Sequence, residues 1–346
     1  MSVSSNKFCL TFAILCCALT SNANAQNANL SWANQVIQNQ RDHGTDKSPV
    51  VTAVSLRPGG AMVATAGDDH IVRIWNVVTG SVVRKLEGHD DWVRTVAYSP
   101  DGSVLATAGN GREIILWDAD SGQRIKTLAQ HDHAIQNIAY SHDGRMLAST
   151  GFENRLRVYD TQNGNILHEL SCPCRDMRAI AFSPDDRILA AGGRSGLIRL
   201  YEVETGRDIR DIAAHRQRIR EMQFTGEGQY LISCSEDRTV RISNVAGTDV
   251  FELPRRPTKI MSIALCGATR LATAGSDNLI RIWDLNTRSE IGQLRGHTGT
   301  VTALASNGDI LVSGSYDTTV RVWKVQNAVS NEVYFPADRG SNTQRK

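Results

Sequence analysis

No charge of one sign prevails in this chain. Its 38 Lys+Arg stand against 36 Asp+Glu, a formal balance of +2 over 346 residues. That near-neutrality excludes the strong overall field that recruits nucleic acid without regard to sequence. Long apolar runs are lacking as well. The longest, residues 8–19, falls short of the roughly 20 that span a bilayer as a helix. Sustained 3.6-residue periodicity is missing, apart from residues 30–38, which read as one short helix, and this excludes a helical solenoid. Proline is scarce, with 8 residues against 28 glycines. What is present, 41% hydrophobic and 21% charged residues, is the composition of a folded chain rather than a disordered one.

The N-terminus reads as an export address. Lys7 is the only charge before Arg41; the apolar run 8–19 follows, then Ser21-Asn22-Ala23-Asn24-Ala25, an Ala-x-Ala exit. This is the layout of a secretory signal peptide cut after Ala25. Residues 1–25 are therefore expected to leave, and the mature protein to be periplasmic or secreted. Leu15 and Cys16, which precede Cys16 and Cys17, are not the small residues that a lipoprotein site resembles. Cys9, Cys16 and Cys17 go with the signal. The remaining Cys172, Cys174, Cys234 and Cys266 are too few for a disulfide framework. Cys172 and Cys174 are also awkwardly close for a bridge between them.

Seven stretches repeat one pattern, among them TAGDDHIVRIWN (65–76), TAGNGREIILWD (107–118), TAGSDNLIRIWD (273–284) and SGSYDTTVRVWK (313–324). Its closing positions are Trp75, Trp117, Tyr159, Tyr201, Ser243, Trp283 and Trp323, spaced 42, 42, 42, 42, 40 and 40 apart. The second unit divides into four short strands: 93–98, 104–108, 113–117 and 123–128, separated by Ser99-Pro100-Asp101-Gly102, Asn110-Gly111 and Ser121-Gly122. Seven units of four strands predict an all-β chain, a seven-bladed β-propeller of four-stranded antiparallel blades. Residues 26–46 then form an N-terminal flank, 47–335 the propeller and 336–346 a polar tail. A terminal segment is expected to add the outer strand that closes the ring and removes the open sheet edge. Residues 329–335 are the first choice and 35–40 the second.

The Trp-Asp endings, Gly88-His89 and Gly296-His297, and the Ser-Pro-Asp-Gly turn resemble WD-repeat proteins over roughly residues 47–326. The resemblance implies the fold; this fold hosts many unrelated functions. It also implies that a His, a Ser or Thr, an Asp and a Trp lock each blade as a buried hydrogen-bonded network. The set is complete in His297, Ser313, Asp317 and Trp323. His89, Thr107 and Trp117 fill the second unit, with Gly111 in place of the acid, and His131, Ser149, Glu153 and Tyr159 the third. The fifth has His215, Ser233 and Asp237, with Ser243 at the Trp place. The sixth has Thr273, Asp277 and Trp283, and the first Thr65, Asp69 and Trp75. The fourth, with Pro173, Ala191 and Ser195, is expected to rely on packing alone. His297, Ser313 and Asp317 also imitate a Ser-His-Asp triad. A catalytic set is needed once, however, and a set repeated around a ring is scaffolding, so no enzyme is expected.

In this family the loops entering each first strand, and the turns before each closing strand, resemble the rim of one face. The first positions are Val50, Trp92, Ala134, Asp176, Arg218, Lys259 and Thr300. One step further come Thr52, Arg94, Gln136, Arg178, Arg220, Met261 and Thr302. The turn positions are Asp68, Asn110, Phe152, Arg194, Glu236, Ser276 and Tyr316. From these, Trp92, Arg94, Phe152, Arg178, Arg194, Arg218, Arg220, Lys259 and Tyr316 are candidate partner-binding residues, since arginine with aromatics is the composition of interface hot spots. Units four to six also carry Arg175, Arg216, Arg255 and Arg256, an arginine-rich sector. It reads either as a solvated charged rim or as a docking face for an acidic protein segment or anionic polymer. His131, His133, Cys172 and Cys174 have the softness for zinc or copper. His131 belongs to its blade network, however, and nothing fixes a geometry, so no metal or cofactor is expected. The expected function is a monomeric, non-enzymatic interaction scaffold with a protein partner, acidic where it meets the arginines, and no nucleic acid. The alternative is an exported propeller enzyme or ligand or metal binder using the central channel, whose facing positions show no obvious converging set.

Overall fold

The computed structural model describes residues 35–38 and 48–325. The expected signal, the tail and residues 329–335 lie outside the described residues. Among these, twenty-eight strands and no helix form seven antiparallel sheets of four. Six blades, covering residues 51–86, 93–130, 135–171, 177–213, 219–252 and 260–294, keep their strands in chain order from the axis outward. The seventh combines residues 301–324 with Gln35–Gln38.

Local chemistry sets these elements. In blade two the strands are Val93–Tyr98, Val104–Gly109, Glu113–Asp118 and Arg124–Gln130. The Ser99–Gly102 turn between the first two is closed by the Gly102 N–H on the Ser99 carbonyl at 2.8 Å. Gly102 sits at φ +74°, where a side chain is disfavoured. Burial follows position in the blade. Second strands lie sandwiched between neighbouring sheets, and Tyr230–Ser235 is buried at every residue. Outer strands face water; in Ile166–Ser171 only Leu170 is buried.

The ring closes at its N-terminal end. Val36 pairs with Arg321 and Ile37 with Val320, so Gln35–Gln38 becomes the outer strand of blade seven. Ile37 is buried in one apolar cluster with Val51, Val54 and Trp75 of blade one and Val312 and Val320 of blade seven, a cluster that spans the seam. This corrects the helix expected over 30–38, at residues 35–38. A short isolated helix has no tertiary support, whereas a strand there satisfies the open edge of Thr319–Lys324. The outer place expected for residues 329–335 is thus held by the second of the two candidate segments. On the inner side of the same seam, the Thr302 hydroxyl donates to the Val51 carbonyl at 2.6 Å.

Because Ile37 is buried in a cluster drawn from two blades, Ile37→Ala should lower the unfolding free energy by about 2–5 kcal/mol. Urea denaturation followed by tryptophan fluorescence measures it. A loss within about 0.5 kcal/mol, the scale of an ordinary surface change, would mean that the ring closes without this strand.

Candidate functional site: the channel mouth and its rim

Every first strand carries an irregularity at the same place. Pairing with the second strand skips one residue, between Val51 and Ala53, Val93 and Thr95, Ile135 and Asn137, and Met177 and Ala179. It does so again between Ile219 and Glu221, Ile260 and Ser262, and Val301 and Ala303. The skipped residues are Thr52, Arg94, Gln136, Arg178, Arg220, Met261 and Thr302. A bulge leaves its extra residue out of the ladder and re-aims that side chain. All seven line one cavity of about 320 Å³ at the centre of the ring.

The rim is fastened by backbone. The N–H groups of Asn110, Phe152, Arg194, Glu236, Ser276 and Tyr316 donate to the carbonyls of Trp92, Ala134, Asp176, Arg218, Lys259 and Thr300, at 2.9–3.3 Å. So close an approach excludes most side chains opposite the bulge. A Cβ on Gly109 or Gly193 would sit 2.0 or 2.1 Å from the carbonyl oxygen of Trp92 or Asp176. Blades five and seven use Ser235 and Ser315 there, and their hydroxyls donate to the carbonyls of Gln217 and Gly299 at 3.2 and 3.0 Å.

On this frame Trp92, Phe152 and Tyr316 are 41%, 40% and 49% exposed. The Arg94 guanidinium lies 5.4 Å over Trp92 and donates from Nε to Asn110 at 2.7 Å. Arg178 lies 5.7 Å over Phe152. Arg194 is exposed. The arginine-rich sector needs correction, because two carboxylates run through it. Asp176 accepts from Arg178 at 2.9 Å and Arg218 at 2.6 Å. Glu236 accepts from Arg218 at 3.0 Å, Arg220 at 3.3 Å and Lys259 at 3.0 Å. Burial works to raise the Glu236 carboxyl, but Lys259 and Arg218 outweigh it and hold the group below its ordinary value. Arg256 leaves the rim altogether, stacking 4.4 Å over Trp283 and pairing with Glu290. Arg255 donates to the Asp237 carbonyl at 3.1 Å.

The channel positions do converge, against the expectation of no obvious set. Arg94, Arg178 and Arg220 face one another across the mouth, with Gln136 and Tyr316 beside them. Burial, then the neighbouring Arg178, pulls both Arg94 and Arg220 below the ordinary guanidinium value. Beneath them lies Glu221, shared between the mouth and a second cavity of about 370 Å³ toward the opposite face. Glu221 accepts from the Ser262 hydroxyl at 2.5 Å and the Ile263 N–H at 2.8 Å. Burial raises its carboxyl to about 7 against those two bonds. Sequence reasoning missed Glu221. The signal lay in its column, where the other units carry Ala53, Thr95, Asn137, Ala179, Ser262 and Ala303 and only this one an acid.

The blade networks lie deeper. In blade seven Trp323 Nε1 donates to Ser313 Oγ at 2.9 Å, and that hydroxyl lies 2.7 Å from His297 Nε2. His297 Nδ1 lies 2.8 Å from Asp317, which also accepts from the Thr298 N–H and the Thr319 hydroxyl. Burial would raise Asp317, but the Thr319, Thr298 and His297 bonds hold it at about 2. Burial lowers His297 despite Asp317. The neutral ring thus donates from Nδ1 and accepts at Nε2, and each side-chain polar atom from Trp323 through Ser313 and His297 to Asp317 has a partner. This is the order of a catalytic triad, but Ser313 has no exposed surface, so its hydroxyl meets no substrate in this conformation.

The other blades keep parts of the set. Blade five joins His215 to Ser233 at 2.8 Å and Asp237 at 3.1 Å, and the hydroxyl of Ser243 is buried without a partner. In blade two Thr107 receives Trp117 at 2.7 Å and lies 2.6 Å from His89, which burial and Arg124 lower to about 4. Trp75 and Trp283 donate to Thr65 and Thr273 at 2.8 and 2.9 Å. There Asp69 and Asp277 pair with Arg73 and Arg281 instead of a histidine, at 2.7 and 2.6 Å. Blade four does not rest on packing alone, since the Tyr201 hydroxyl donates to the Ser171 carbonyl at 2.8 Å and Arg199 pairs with Asp211 at 2.7 Å. His131 is engaged by Glu153, Ser149 and Tyr159 at 2.8–3.0 Å. Among the described residues no group of three or more His, Cys, Asp or Glu is placed to hold a metal ion.

Two outcomes follow from these contacts. Ser313→Ala strands both His297 and Trp323, whereas Thr273→Val strands Trp283 alone. At about 1–3 kcal/mol per orphaned buried group, chemical denaturation should find the first change roughly twice as costly. Equal costs would show that water or repacking satisfies one partner. The second outcome concerns Glu221. A carboxyl raised in the folded state binds its proton more tightly there than in the unfolded chain. Its stabilising contribution is therefore complete at acid pH and is lost as pH rises through about 7. Glu221→Gln keeps the acceptor and removes the titration. Its melting temperature should change less than the wild type's between roughly pH 6 and 8.5; parallel changes would overturn the assignment.

A family model described as "IFT122 first beta-propeller" matches residues 50–284, and one described as "WD domain, G-beta repeat" matches residues 288–324. The chain is 45% identical over 58 residues to Mitochondrial division protein 1 of Pyricularia oryzae, covering 17% of this chain and 9% of that protein. It is 30% identical over 128 residues to the DENN domain and WD repeat-containing protein SCD1 of Arabidopsis thaliana, 33% of this chain and 11% of that one. WD repeat-containing protein 37 of Mus musculus is 32% identical over 120 residues, 33% of this chain and 24% of its own length. The chain thus spans less than a quarter of each of these relatives, which share its repeats. Repeat spacing, seven four-stranded blades and a family match over most of the length agree: the chain belongs to the WD-repeat β-propeller family.

Proposed function

We propose that this propeller is a non-enzymatic scaffold, exported by its N-terminal segment, that binds a protein partner as a monomer on the face carrying the channel mouth. The observation that carries the reading is the trio Trp92, Phe152 and Tyr316, 40–49% exposed in water at positions whose backbone is pinned. Trp92 accepts the Asn110 N–H through its carbonyl, and Phe152 and Tyr316 donate their own N–H groups across the bulge. Large aromatics held rigidly at a rim lose little freedom on binding and bury much area, which is how hot spots act. Two of them already carry a guanidinium on one face, so an apolar contact and an acidic one lie side by side. The layout of residues 1–25 supports export.

Protein recovered from the exported fraction should begin at Gln26 by N-terminal sequencing and bring down one partner in near-stoichiometric amount. The triple change Trp92→Ala, Phe152→Ala and Tyr316→Ala should weaken that capture by at least about tenfold, with the melting temperature unchanged. Full capture by the triple variant removes this face from the proposal. A chain that keeps Met1 and stays inside the cell removes export.

A further inference from the structure

Three guanidiniums in one concave site need an explanation that the blades do not supply. Arg94, Arg178 and Arg220 are skipped residues of adjacent or near-adjacent bulges, so no strand pairing depends on them. Like charges gathered in a partly enclosed space repel, and the cost grows as water is excluded. Around the mouth stand five cations, Arg94, Arg178, Arg218, Arg220 and Lys259. They face three carboxylates, Asp176, Glu236 and Glu221. A fourth carboxylate, Asp91, acts on Arg94 from behind Asn110, whose amide reaches it at 3.4 Å, so at least one positive charge remains without a counter-ion among these groups. Arg94 stands out: its Nε reaches only the neutral amide oxygen of Asn110. A second, independent feature is Gln136, another skipped residue on the same wall. It is 8% exposed, and its side-chain Nε2 is buried without a hydrogen-bond partner. Buried donors left in this state cost stability and are rare unless something completes them.

We infer that the channel mouth is a binding site for a multiply charged oxyanion, a compact carboxylate or phosphate compound seated between Arg94, Arg178 and Arg220. The cavity, about 320 Å³, is at the small end of the range for ligand pockets, which suits a compact anion better than an extended molecule. The guanidinium forks supply paired donors of the spacing that carboxylate and phosphate accept. Tyr316 at the rim offers a hydroxyl. The same chemistry can arrive free in solution or on an acidic segment of a protein, and in the second case the site deepens the docking face proposed for this propeller.

The test is calorimetric titration of the purified full-length protein with citrate, pyrophosphate and a hexaglutamate peptide, in the absence of any partner. At least one should bind saturably with 1:1 stoichiometry. Arg94→Gln should weaken that binding about tenfold or more, the scale of one charge-assisted contact, and Arg207→Gln, exposed in the turn between the third and fourth strands of blade four and away from the mouth, should leave it unchanged. Gln136→Leu provides a second reading should the first variant not fold, and it too should weaken binding. Binding of citrate or pyrophosphate assigns a free ligand; binding of the peptide alone assigns an acidic protein segment. No saturable binding by any of the three, or equal binding by Arg94→Gln and Gln136→Leu, overturns the site. So does an equal loss in Arg207→Gln, which would reveal only general charge attraction. Because no partner is present, failure here leaves the contact through Trp92, Phe152 and Tyr316 standing, and failure of that capture leaves this titration interpretable.

Discussion

Seven sheets hold their places around one axis because every junction between neighbouring blades carries a polar bond from a first strand or the loop entering it. Thr52 donates to the Val93 carbonyl at 2.7 Å, Thr95 to Asn137 at 3.3 Å, and Asn137 to the Arg178 carbonyl at 3.0 Å. Arg218 pairs with Asp176 at 2.6 Å, and Ser262 donates to Glu221 at 2.5 Å. The Leu304 N–H reaches Ser262 at 2.8 Å, and Thr302 reaches the Val51 carbonyl at 2.6 Å. Net worth per bond is modest, about 1 kcal/mol. Their direction matters more. Apolar packing between sheets resists separation but tolerates sliding, and a belt of directed bonds fixes rotation. A blade turned out of register would lose two of them at once.

That belt explains the unusual placement of Glu221. A carboxylate is costly in an enclosed channel, yet here it satisfies a hydroxyl and a backbone N–H of the next blade, which an alanine at the same level does not. The deeper His, Ser or Thr, Asp and Trp sets do different work. They tie the loop before the first strand to the second and third strands of the same sheet, and so stiffen blades individually. Where histidine is missing, Arg73 and Arg281 take over the acid; where the set is absent, Tyr201 bonds to backbone. The network varies because each blade needs only enough bonds to satisfy what it buries.

Much of this was legible in the repeat. The period near 42, the turn residues and the Trp column carry fold class, blade number and network membership, because those features are local and recur. What was hidden depends on neighbours distant in sequence. Residues 35–38 read both as part of a helix and as the second candidate for the closing strand, since only the edge of Thr319–Lys324 decides for the strand. The arginines of units four to six read as a bare positive sector. Asp176 and Glu236 were visible in the same columns, but a column does not say which guanidinium a carboxylate reaches. Arg218 bridges both of them, across a blade boundary.

The bulge also determines where this fold can vary without loss. Its geometry rests on a backbone carbonyl, the N–H opposite and the lack of a large side chain at Gly109, Gly193 and their equivalents. The identity of the skipped residue does not enter. Thr, Arg, Gln and Met all occupy that place within this one chain, with the same pairing on either side. Side chains there are freed from holding the sheet and are delivered together to one opening. Three of seven are arginine in a chain whose overall charge is close to zero. Neither strand pairing nor the blade networks call for a cation at those positions; Asp176 and Glu236 offset Arg178 and Arg220, and the charge of Arg94 is what the proposed anion would offset. That is a stronger reason to look for function in the channel than the charge of the surrounding rim, most of which is already matched by Asp176 and Glu236.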